Sequence, residues 1–366
     1  MDPRISNLAK TLVNYSLEVQ PGEWVVVIAN TVALPLVHET LRHILRAGGH
    51  YNLILESDEQ TEILLREGSD EQIKWISPLH TFAFEQMDAY LYIRAVSNTR
   101  YLAGTDPTKQ TAYHQAQQVL SEIRRRREAE GQIRWSLTEF PCPAFAQEAN
   151  MSLPDYEDFV YVATYADQPD PVKHWQAVHD QQERLVNWLK GKKHVQIRGP
   201  HVDLALSIEG RDFINSAGKA NMPSGEVFTS PVEDSASGWV RFSYPAIRLG
   251  REVEGVELTF ENGRVIKASA EKEERFLLSQ LDSDEGARYL GELGIGTNFN
   301  IQRFTKSILY DEKIGGTIHL ALGYGFPQIG GKNNSNIHWD FICDMRTDSE
   351  ILVDGELFFK NGAFKI

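Results

Sequence analysis

Two of the eleven histidines lie beyond residue 201, and both stand in strand-like sequence. In Asn336-Ile337-His338-Trp339-Asp340-Phe341, residues two apart project from one face of a strand, so an imidazole and a carboxylate stand side by side while Ile337, Trp339 and Phe341 face the other way. Such a pair can hold a divalent ion, and it can equally form a plain hydrogen bond on a sheet surface. His319, in the apolar run from Thr317 to Gly323, reads on its own as a hydrogen-bonded core histidine. Carboxylates add to this inventory. Glu226 lies between Val227-Phe228 and the bend at Pro223-Ser224-Gly225, where a partly buried acid needs a partner. Glu292 lies in the stretch from Asp284 to Gly294, whose spacing predicts a helix capped by Ser283 or Asp284, with Glu285 and Glu292 on one face. Glu312, in Tyr310-Asp311-Glu312-Lys313 ahead of Gly315-Gly316, is expected in a solvated turn.

Other chemistries lack their residues. The segment His38-Glu39-Thr40-Leu41-Arg42-His43 resembles a zinc-protease helix, but its second histidine falls at i+5, where one helical face requires i+4. A nucleophile elbow, a phosphate-binding loop and a dinucleotide fingerprint are all missing from the sequence. Cys142 and Cys343 are far apart and form no Cys/His cluster, so they read as buried free thiols. With 37 basic and 51 acidic residues the formal net charge is -14, which repels a nucleic-acid backbone.

The elements that must position these groups follow from periodicity. A chain of 366 residues, 42% apolar and 24% charged, is expected to form two globular domains. Apolar runs at 24–29, 51–55, 89–93 and 133–137 alternate with helical patterns at 34–47, 70–87 and 107–130, the signature of a parallel sheet flanked by helices. The last of these helices, with Arg124 to Arg127, reads as a surface helix. Two further helices are expected after residues 153 and 170, and beyond about 193 short strands and turns take over, with Asn262-Gly263 marking a hairpin. The expected architecture is therefore an α/β domain with a parallel sheet over 1–192, followed by a β-rich α+β domain over 193–366. The N-terminus lacks a long apolar core and no run of about 18 apolar residues occurs, so a cytoplasmic protein without a membrane partner is expected.

Five strings in order, GEVFTSPVEDSASG, REVEGVELTFENGRV, LDSDEGARYLGELGIGTN, DEKIGGTIHLALG and NIHWDFICD, together with VQPGEWVVV and RWSLTEFPCPAFAQEANMSLPDYEDFVY in the first half, resemble the M29 metallo-aminopeptidases over nearly the whole chain. That resemblance implies hydrolysis of the N-terminal peptide bond of short peptides by a homodimeric enzyme with two divalent ions, Zn, Co, Mn or Mg. Matched by position, it implies Glu226, Glu292, His319, His338 and Asp340 as ligands and Glu312 as a further acid of the site, either ligand or proton carrier. The family's tyrosine seven residues after the His319 position is Phe326 in this chain, and Tyr324 stands two residues earlier. The alternative to an enzyme is a protein of the same fold that binds metal or peptide without turnover.

Overall fold

A computed structural model describes residues 2–366. The chain forms two compact units, one of residues 2–174 with 218–223 and one of residues 175–217 with 224–366. The shift to strand-rich sequence near 193 and the limit at 174/175 mark different things. Helix Pro171–Leu189 runs through that limit, and its Leu185 and Leu189 pack among the apolar residues of the second unit.

In the first unit the parallel sheet runs in the order His50–Glu56, Trp24–Asn30, Ala89–Arg94, Arg134–Glu139, Asn221–Met222. Val25, Val26, Val27 and Ala29 of the second of these strands are fully buried, as expected of a parallel strand covered on both faces. The Pro107–Ala129 helix departs from the expected surface helix at one point. Arg127 is buried, and its guanidinium donates to the carbonyls of Phe84, Met87 and Gln132 at 3.0, 2.7 and 3.0 Å. On helix Leu34–Arg46, His38 is exposed and His43 buried, so the two do not share a face.

The second unit contains two larger antiparallel sheets. One has eight strands and includes the hairpin that Asn262-Gly263 turns, with φ of 49° and 79°. The other runs in the order His338–Asp344, Thr317–Gly323, Leu290–Gly296, Glu226–Thr229, Ile214–Ser216. Ile197, Leu204, Val240 and Leu258 of the first sheet share one core with Val227, Leu293, Ile295, Leu320 and Phe341 of the second.

The helix expected around Glu292 is instead a turn followed by the strand Leu290–Gly296, every residue of which is buried. Glycine at 291, 294 and 296 disfavours a helix, and neighbouring strands satisfy the backbone on both sides. The pairing slips between Leu290 and Glu292, a bulge. It lets Leu290, Leu293 and Ile295 all reach the core and sends Glu292 to the opposite face.

Candidate metal centre

The face of the five-stranded sheet turned away from that core carries the polar groups. Four adjacent strands contribute: Glu226 from one, Glu292 from the next, His319 from the third, His338 and Asp340 from the fourth. Register brings them together, since Glu292 lies opposite Ala321, Ala321 opposite Asp340, and Gly323 opposite His338. Small residues between these groups leave room for their side chains. His319 lies opposite Gly294, where a Cβ would sit 2.0 Å from the imidazole Nε2, so the ring occupies space that only glycine leaves open.

The Glu292 carboxylate stands between the two imidazoles, with Oε1 3.2 Å from His319 Nε2 and Oε2 3.1 Å from His338 Nε2. Glu226 Oε2 is 3.4 Å from His319 Nε2, and Asp340 Oδ1 is 3.6 Å from His338 Nε2. Two groups result, Glu226/Glu292/His319 and Glu292/His338/Asp340, each with ligand atoms within 4.8 Å of one another, and Glu292 belongs to both. The His338 ring is oriented from behind, because its Nδ1–H donates to the Tyr324 carbonyl at 2.9 Å. In the neutral tautomer this leaves Nε2 as a free donor for a cation.

Buried charge is poorly compensated by the protein alone. Burial by itself would lower the His319 imidazole, but the hydrogen bond and charge of Glu292, with Glu226 and Glu312 behind it, push it up to about 9. Burial likewise opposes protonation of His338, yet the charge of Asp340, with the Glu292 carboxylate beside it, holds it well above its ordinary range. Against burial, which would raise it, bonds from both histidines draw Glu292 down to about 2. Glu226 Oε2 and Asp340 Oδ1 are buried without a hydrogen bond. Orphaned carboxylate oxygens beside two imidazoles fit a divalent cation, and this oxygen-rich set with two nitrogens suits Zn, Co, Mn or Mg.

Glu312 is not in the solvated turn expected for it. It caps the short helix Ile308–Asp311, its side chain is 15% exposed, and its carboxylate touches the Lys313 ammonium. Burial, opposed by Lys313 and reinforced by Glu226 and Asp340, raises it to about 7. It belongs to neither ligand group. Lys313, which the sequence reading passed over, is fully buried with its ammonium 3.6 Å from Glu226 Oε1. Its one sequence signal is a lysine set between an acid and Ile314-Gly315-Gly316 directly before the His319 strand. Tyr324 reaches the site through its carbonyl, and its ring meets Phe326 edge-on at 6.1 Å. The Phe326 ring packs edge-on against His338 at 5.4 Å and tilted against Phe228 at 5.2 Å.

Known proteins resemble the chain over its full length. The model of the thermophilic metalloprotease (M29) family matches residues 1–364. Aminopeptidase 2 of Geobacillus stearothermophilus is 29% identical over 99% of this chain and 97% of that protein. Aminopeptidase AmpS of Bacillus subtilis is 27% identical over 98% of each. The solved structure of wild-type AmpT from Thermus thermophilus superposes with a TM-score of 0.88 at 24% identity, covering 99% of both chains; it shares the fold.

Proposed function

The chain belongs to the thermophilic metalloprotease (M29) family and is a metallo-aminopeptidase, and we propose that it releases N-terminal residues from short peptides with two divalent ions held by Glu226, Glu292, His319, His338 and Asp340. The observation that carries this reading is the Glu292 carboxylate, which offers one oxygen to each of two three-residue ligand groups. Such sharing is what a bridging ligand requires. Two divalent ions held there would supply a water of lowered pKa and polarise the scissile carbonyl.

The chain's own residues do the rest. Glu312, poised near neutrality by its burial, accepts a proton from the attacking water on its carboxylate and returns it to the departing amine. Tyr324 supplies the hydroxyl that Phe326 lacks, donating to the oxygen of the former carbonyl. The Tyr324 carbonyl fixes the His338 tautomer, so Nε2 is the ring nitrogen that would hold an ion. We further propose a cytoplasmic homodimer that acts without nucleic-acid or membrane partners; no helix among the described residues is long and apolar enough to cross a membrane.

Purified protein supplied with Zn, Co or Mn is expected to release the first residue from unblocked peptides and leave N-acetylated ones intact. Cleavage of both, or of neither with any of these ions, would overturn the reading. The missing hydroxyl at Phe326 favours one rival, a protein that binds metal or peptide without turnover. Under that rival Tyr324→Phe changes nothing measurable, whereas the enzyme should lose turnover at unchanged metal content.

A further inference from the structure

Glu226 has two different neighbours on its two oxygens. Oε2 faces the His319 Nε2 at 3.4 Å and Oε1 faces the Lys313 ammonium at 3.6 Å. The Lys313 side chain has no solvent exposure, and its other contact is the Glu312 carboxylate. A buried ammonium is tolerated only where anions surround it, so this cation is built into the carboxylate cluster.

The other ligand group has no equivalent. The cation nearest to it in role is Arg248, partly buried, which donates to Gln280 Oε1 at 2.8 Å and the His338 carbonyl at 3.3 Å and acts on Asp340 through charge without an ion pair. A fixed positive charge that touches Glu226 and acts on Asp340 only at longer range weakens the first ion position more than the second, because charges out of water are poorly screened.

We propose that Lys313 is a resident cation of the metal centre that makes its two ion positions unequal: the Glu226/Glu292/His319 position binds its ion more weakly and exchanges it first, while the Glu292/His338/Asp340 position retains its ion. This rests on the two-ion reading above. Lys313 is a positioning residue in this scheme, acting on the ion through charge. The sign of its effect separates charge from architecture. A lysine that merely supported the fold would, on removal, loosen the ligands and weaken metal binding. A resident cation, on removal, leaves Glu226 and Glu312 with unopposed charge and strengthens it.

The test is a calorimetric titration of the metal-free full-length protein with Mn²⁺, with metal content checked by mass spectrometry after dialysis. The wild type is expected to bind in two resolved steps. Lys313→Met, nearly the same length without the charge, is expected to tighten the weaker step by about tenfold or more, and Lys313→Arg to keep the wild-type pattern. Weaker binding by a folded Lys313→Met overturns the proposal. A second pair of variants serves even where Lys313→Met does not fold: His319→Ala should abolish the weak step and Asp340→Asn the tight one, and the reverse assignment overturns the proposal. Two equal steps in the wild type would sink this inference alone, whereas fewer than two bound ions would sink the two-ion reading with it.

Discussion

Replacing Gly294 by alanine tests whether the imidazole of His319 is placed by the glycine opposite it. An added Cβ would lie 2.0 Å from His319 Nε2, 2.1 Å from Cε1 and 2.8 Å from Cδ2. Non-bonded carbon atoms settle at about 3.5 to 4.0 Å, so the ring must retreat by roughly 1.5 Å. Metal–ligand distances tolerate about 0.2 Å, and no compromise position satisfies both demands. The backbone itself accepts the change, because Gly294 is absent from the positive-φ glycines. Relief of glycine's entropic cost is worth about 0.5–1 kcal/mol against about 1–3 kcal/mol for overpacking, leaving a folded protein within about 2.5 kcal/mol of the wild type. The expected outcome is therefore specific: the variant unfolds in denaturant close to the wild type when both are metal-free, binds one ion per chain fewer than the wild type, and loses turnover by about 10- to 100-fold, the scale seen when support of a metal ligand is removed. Full metal occupancy with turnover near wild type would refute the argument that this glycine makes room for the ligand.

Glu292→Gln keeps the shape of the shared group and removes its charge, so both ions should be held less tightly and turnover should fall by about 100-fold or more; retained activity in dialysed protein would show that Glu292 is not shared. The pH dependence of the metal-free protein follows from His319, held at about 9 in the folded chain against about 6.5 when unfolded. That contribution is complete below about pH 6.5 and is lost as pH rises through 9, so the chelator-treated protein should melt at lower temperature at pH 9 than at pH 6.5. The metal-loaded protein should show the opposite trend over the acid side, since an ion requires neutral imidazole; parallel melting curves with and without chelator would contradict this. In the first unit, Arg127→Met strips the donor from three carbonyls and should cost about 3 kcal/mol in urea unfolding with metal content unchanged. A loss below about 1 kcal/mol would mean that water replaces the guanidinium.

Local chemistry was legible where spacing is enough. The His338/Asp340 pair needed only the two-residue period of a strand, and Trp339 and Phe341 do face the core. The parallel strands of the first unit announced themselves through continuous apolar runs, and Asn262-Gly263 through the positive φ that both residues adopt. Glu292 was misplaced on a helix because the acids and apolar residues from Asp284 to Leu290 fit helical spacing, while the deciding facts are tertiary: strands on both sides and a bulge that no local pattern encodes. Glu312 and Lys313 look like ordinary turn charges in sequence, and their burial depends on residues far along the chain. Convergence of groups as far apart as Glu226 and Asp340 is invisible to spacing, and only the ordered motifs of the family resemblance gathered them.

The segment 218–223 belongs to the first unit although the chain on both sides of it belongs to the second. Residues Asn221–Met222 complete the parallel sheet by pairing with Leu137 and Thr138, and only three residues separate that edge strand from Glu226. During synthesis, therefore, the first 174 residues cannot finish their sheet when they emerge; its last strand arrives with the chain that leads into Glu226. Gene fragments cut at 174/175 would leave that sheet one strand short, so the two units are not separable modules in the genetic sense, and domain exchange between relatives would have to carry residues 218–223 with the N-terminal half.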